Sequence, residues 1–154
     1  MIKKEIEELL LKAIKLKEIL DLEISSTNNK NYDSSAYISE EDLPDEIWAP
    51  EENKNWKYYL SNFGRVRYKS HRGLIIPQRK ENGDLYLDKE KWEEKCLENV
   101  GTIGACVKVY PLIAEAFKIK KDGYDIHHIN CNGYDNRLDN LISLPNWIHA
   151  HLAE

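Results

Sequence analysis

The stretch Tyr124-Asp125-Ile126-His127-His128-Ile129-Asn130-Cys131-Asn132-Gly133-Tyr134-Asp135-Asn136-Arg137-Leu138-Asp139-Asn140-Leu141-Ile142-Ser143-Leu144-Pro145 carries four Asn, three Asp and a pair of adjacent histidines. The run into His127 and His128 predicts a strand. The Asn-, Asp- and Gly-rich residues after it predict a tight loop, in which Asn136 and Asn140 are suited to Asx turns. Leu141 to Leu144 predicts a second strand. Pro145 then suits the first turn of a terminal helix, where its missing N–H breaks no bond. That helix carries His149 and His151. The whole is a β-β-α hairpin, and it makes the chain α+β.

The residue types suggest the chemistry. Hydrolysis of a phosphodiester needs a base, a cation to hold phosphoryl charge and a fixed geometry. Adjacent strand residues point to opposite faces, so periodicity alone does not assign both histidines to one site. A twist at the strand end could bring them together, and a histidine from the terminal helix could complete a ligand set. Imidazole suits divalent transition metals, whereas Mg²⁺ favours oxygen ligands. Cys131 reads as a small buried residue rather than a ligand.

Upstream, charge is segregated. The chain has 154 residues and a net charge of −5, but residues 54–80 hold eight bases and no acid. Within that block stand Trp56, Tyr58, Tyr59, Phe63 and Tyr68. Cations interleaved with aromatics suit a sugar-phosphate backbone. The candidate nucleic-acid contacts are Lys57, Arg65, Arg67, Lys69 and Arg72, with Arg137 added from the C-terminal loop. Residues 1–53 are acidic, with fourteen acids against six bases.

Residues 2–24 predict one amphipathic helix, with Ile6, Leu9, Ala13, Leu16 and Leu20 at three- and four-residue steps. It could pack on the body of the chain, pair with a second copy or meet a protein partner. Residues 25–44 read as a polar and acidic linker. Residues 45–120 read as a small β-rich module. Strands are expected near 45–50, on both sides of Asn62-Phe63-Gly64, at 74–77 and at 107–110. A helix is expected at 112–117, and 84–92 is ambiguous. Three cysteines without a C-x-x-C pair argue against a disulfide framework and a four-cysteine zinc site. No apolar run approaches the length that spans a bilayer. The acid-rich start is unlike a signal peptide, and a reduced cytoplasm is the expected location.

The C-terminal stretch resembles the HNH, or ββα-metal (His-Me finger), nucleases of phage and mobile-element type. The resemblance rests on His127-His128, Asp135-Asn136-Arg137, Asn140-Leu141 and His149. Tyr59 to Arg67 is similar to the Y-x-V-S-N-x-G-R-V-R phrase of the NUMOD-type DNA-binding module. Val109 to Phe117 is similar to the phrase that separates the two in such enzymes. The resemblance covers residues 45–151, with the module at 45–120 and the nuclease motif at 121–154. It implies that His128 is the general base, that Asn140 braces the loop and orients the base, and that His127 and His149 hold a divalent metal. Mg²⁺ or Mn²⁺ is the implied ion, with Ni²⁺ or Zn²⁺ as alternatives. His151 and Asn136 would support these residues from behind. Ala153 stands where some relatives have a further histidine, and Tyr110-Pro111 stands where a His-Arg is usual. The implied activity is nicking of duplex DNA in a bacterial or phage-infected cell. Backbone chemistry alone leaves RNA open as a substrate. A histidine base must be neutral, so activity is expected to fall below about pH 6.5. The competing expectation is a binding or inhibitory protein on the same scaffold, directed to a protein partner by its acidic N-terminal region.

Overall fold

The computed structural model describes residues 3–27, 31–53, 56–70, 73–96 and 102–146. The terminal helix expected after Pro145 lies outside these residues, and so do His149, His151 and Arg72.

The chain begins with helix α1, Lys3–Thr27. It continues through Ser25-Ser26-Thr27, where the linker was expected, because no Gly or Pro stands there to stop it. Ile6, Leu9, Leu11 and Leu16 are exposed on it. Its ion pair Lys3–Glu7 lies within the helix.

Residues 31–46 then pack as an ordered strap rather than a free linker. A 3-10 turn at Ser34–Ala36 is capped by Asp33, whose carboxylate accepts from the Ser35 N–H. The remaining strap residues lead into an antiparallel sheet of β1 (Trp48–Pro50), β2 (Tyr58–Ser61) and β3 (Val66–Tyr68), in that order. The turn expected at Asn62-Phe63-Gly64 joins β2 to β3, and Gly64 has φ +83° there.

The expected strand at 74–77 reduces to a single bridge, Ile75 opposite Arg67. The next regular hairpin is β4 (Gln78–Glu81) and β5 (Asp84–Leu87). Its turn is Asn82-Gly83, both at positive φ, which is the pairing a tight two-residue hairpin favours. The ambiguous stretch thus resolves as strand followed by helix α2, Lys89–Cys96.

The strand expected at 107–110 does not form. Only Lys108 makes a bridge, to Tyr86, and helix α3 (Val109–Ala116) starts at the next residue. Pro111 falls in its first turn, where the N–H it lacks has no helical acceptor. Val109, Ile113 and Ala114 on this helix are fully buried. They meet Leu60, Leu85 and Trp92 in one core cluster.

The chain closes with the hairpin β6 (Tyr124–His128) and β7 (Leu141–Pro145). Pro145 is the last residue of β7, opposite Tyr124, rather than a residue of the terminal helix. The fold is α+β, with three small antiparallel sheets and the helices α2 and α3 sharing one core. Among the described residues no helix is long and apolar enough to cross a membrane.

Candidate functional site at the end of the C-terminal hairpin

His127 and His128 are the last two residues of β6, paired with Ile142 and Leu141 of β7. Alternation places them on opposite faces of the ladder. His127 is buried, and His128 is half-buried beside the ring of Tyr110, which meets it edge-on at 5.1 Å. The His128 Nε2 lies 2.7 Å from the Asn136 Oδ1. An amide oxygen only accepts, so with Oδ1 turned to the ring this contact goes with the tautomer that carries its hydrogen on Nε2 and its lone pair on Nδ1.

The loop between the strands is held by its own side chains. Asn140 is fully buried. Its Nδ2 donates to the Asn130 Oδ1 at 2.9 Å and to the Asp135 carbonyl at 2.8 Å. Its Oδ1 accepts from the Asn130 N–H at 3.1 Å. The Asn130 Nδ2 in turn donates to the Asp135 carboxylate at 2.9 Å. Asn140 therefore ties the loop to itself, and the bond to the imidazole comes from Asn136.

The strap closes the back of this loop. The Ser34 Oγ accepts from the Asn136 N–H at 3.0 Å, and the Ser34 N–H donates to the Tyr134 carbonyl at 2.9 Å. The Asn132 Nδ2 donates to the Tyr32 carbonyl at 3.0 Å. Gly64 packs here too. A Cβ added at Gly64 would stand 2.4 Å from the Ser34 Oγ and 2.9 Å from the Asn136 Cβ. The β2–β3 turn, the strap and the His128 loop thus meet at one point.

The cations chosen from the sequence take several different positions. Arg137 is buried, forked onto Asp135 at 2.8 and 2.6 Å, with its guanidinium 4.1 Å from the Tyr32 ring centroid. Burial alone would lower its pKa, but the bond and charge of Asp135 outweigh that and hold it above the ordinary value. Burial pushes the Tyr32 hydroxyl well above its ordinary range. Arg65 is 1% exposed. Its donors reach Glu46 at 2.8 and 2.5 Å, the Ser39 carbonyl at 2.5 Å and the Glu41 carbonyl at 2.9 Å. Expected on a nucleic-acid surface, Arg65 is instead an internal clamp on the strap. A guanidinium with this many fixed acceptors has little left for a phosphate. Arg67 pairs with Asp42 at 3.1 Å and the Glu40 carbonyl at 2.8 Å, over the Trp48 ring. The Lys57 Nζ donates to the Thr102 carbonyl at 3.2 Å. Lys69 is exposed, with its Nζ 3.3 Å from the Trp56 ring centroid. Cys131, expected to be buried, is exposed at the loop tip.

An imidazole at the strand end is chemically suited to a divalent metal, and His127 supplies one. Among the described residues no group of three or more His, Cys, Asp or Glu side chains is placed to hold such an ion. The second imidazole that the resemblance implies, His149, lies outside them. No family model matches the chain, and no curated protein or solved structure does.

The residues missed from the sequence are those that support the imidazole: Ser34, Tyr110 and Asn130. Asn130 carried a signal, since an Asx two residues past a strand end commonly folds the loop back on itself. Ser34 carried none, because its partner is 102 residues away.

Proposed function

We propose that this chain is a divalent-metal-dependent endonuclease of the ββα-metal type, acting on DNA. One observation carries the reading. His128 ends β6 with its Nε2 held by Asn136, inside a loop whose polar side chains are bonded to one another. That is how a general base is held to one tautomer and one direction.

In this reading His128 takes the proton of a water through Nδ1 and keeps its Nε2 hydrogen, which it donates to the Asn136 Oδ1. Asn136 fixes the ring, and Asn140 keeps Asn136 in place by fixing the loop. The edge of the Tyr110 ring limits how far the imidazole can turn. On the resemblance, His127 and His149 would hold the metal, which when bound supplies positive charge for the phosphoryl oxygens. His127 and His128 alternate faces, so they would serve one phosphate across the end of β6. For the alternative, a partner-directed acidic binder, part of the N-terminal acidity is already taken up within the chain. Asp33, Glu40, Asp42 and Glu46 are paired with Lys80, Lys95, Arg67 and Arg65 of the same chain.

The test is cleavage of supercoiled plasmid with Mg²⁺, Mn²⁺, Ni²⁺, Zn²⁺ or EDTA, comparing wild type with His128→Ala. Metal-dependent conversion to open circles is expected, with a loss of about 10²- to 10⁴-fold in the variant. A folded wild type that cuts with no metal, or a variant that cuts equally well, refutes the reading.

A further inference from the structure

Arg65 is buried as a clamp on the strap, and Arg67 lies over Trp48 away from the hairpin of His128, yet a different row of residues leads to that histidine. Arg79 of β4 lies 5.0 Å from the ring centroid of Tyr86, its cross-strand partner on β5. The Lys108 Nζ lies 5.7 Å from the same ring and 5.5 Å from that of Tyr110. Tyr110 meets His128 at 5.1 Å. The order is cation, ring, cation, ring, imidazole, without a break. None of the five is fully buried, and the Arg79 and Lys108 side chains are 31% and 35% exposed.

Their present partners lie in part at the surface, where water and a phosphate can compete for the cations. Arg79 pairs at 2.6 Å with Glu81, a half-exposed neighbour on its own strand, and reaches the Ala105 carbonyl at 3.2 Å. Lys108 stands 3.5 Å from Asp84, a long hydrogen bond that leaves its other donors available. Pairs at a partly exposed surface contribute modestly, and a phosphate can replace the carboxylate. The rings offer flat apolar faces to deoxyribose between the charges.

We propose that Arg79, Tyr86, Lys108 and Tyr110 form the track on which one DNA strand lies as its scissile phosphate reaches His128. Arg79 and Lys108 take successive stretches of backbone, and Tyr86 and Tyr110 pack against the sugars between them. Contacts of this type position the strand without reading its bases. The inference rests on the nuclease reading and locates its substrate path.

The test uses the full chain and a labelled DNA duplex in EDTA, so that binding is read without cleavage. Arg79→Gln/Lys108→Gln is compared with Lys4→Gln/Lys12→Gln on α1, an equal change of charge. The track variant is expected to bind at least tenfold more weakly at low salt. Its log–log salt slope should shrink by about 1.8, since each phosphate contact contributes about 0.9. The α1 variant is expected to match wild type, and the single variants Arg79→Gln and Lys108→Gln to fall between. Thermal melts verify that all four fold. Equal affinity of the track variant and wild type overturns the track while plasmid nicking leaves the nuclease reading standing. An equal loss in the α1 variant also overturns it, because the effect is then one of overall charge. A loss confined to an RNA duplex overturns the DNA assignment. A wild type that binds no duplex at any salt overturns both readings together.

Discussion

At the residue scale the informative group is the Asn136 side chain. Its amide oxygen orients His128, and its backbone N–H is held by Ser34 from the other end of the chain. Asn136→Asp keeps the shape but places a negative charge 2.7 Å from the imidazole. A charge there stabilises the imidazolium, so more base is lost to protonation at a given pH. The acid limb of the cleavage pH profile is expected to move up by on the order of one pH unit. A variant with an unshifted limb would show that the titrating group lies elsewhere. Arg65 teaches a separate lesson: a guanidinium in a basic run is as useful to the fold as to a ligand. Its fork matches Glu46 and the carbonyls of the strap, and burial keeps competing water away.

At the element scale the two hairpin turns behave differently although both use glycine. Gly83 in the β4–β5 turn has φ +83° and open space around a Cβ. Gly64 in the β2–β3 turn has the same φ, but its Cβ position is already occupied by Ser34 and Asn136. Gly83→Ala is therefore expected to cost about 1 kcal/mol, the strain of a left-handed residue alone. Gly64→Ala should cost at least about 2–3 kcal/mol, since backbone strain adds to a forced shift of the strap. It should also reduce cleavage, because the displaced atoms support Asn136. Urea unfolding of both variants measures the difference. Equal losses would mean that the strap moves aside freely.

At the scale of the whole molecule, three strap carboxylates pair with cations of the basic block: Asp33 with Lys80, Asp42 with Arg67 and Glu46 with Arg65. Three of the strap carboxyls are held below the ordinary carboxylate range. At Asp33 burial works against ionisation and is outweighed by hydrogen bonds from Lys80 and Ser35. At Glu46 burial is likewise outweighed, by Arg65 and the Leu43 N–H. At Asp42 the bonds from Arg67 and Trp48 dominate. A carboxyl lowered in the native state adds stability above its unfolded pKa, near 4, and loses it as pH falls through the native value. The urea midpoint should therefore hold steady from neutral pH to about 5 and fall steeply below about 4. Glu46→Gln should be less stable at neutral pH by about 3 kcal/mol, because Arg65 is left buried without its counter-charge. It should also show a shallower acid decline. A decline as steep as that of wild type would mean that other groups govern acid unfolding.

The sequence by itself determined the local pieces. Helical periodicity marked α1, and the turn at Asn62-Phe63-Gly64 marked β2 and β3. The paired histidines before an Asx-rich loop marked β6 and β7. These features follow from backbone preferences and side-chain spacing over a few residues, which a linear reading contains. The Asn82-Gly83 turn is equally legible, since Asn-Gly favours positive φ at both positions. Only the tertiary structure decided where Val107 to Tyr110 belonged, because burial of Val109 and Ile113 against Leu60 and Leu85 favours a helix there. It alone decided that Arg65 faces inward, that Ser34 supports the loop of His128, and that Lys108 and Tyr110 lie beside that histidine. Each of these depends on contact between segments tens of residues apart. Such contacts are set by how the elements share one core and not by any spacing along the chain.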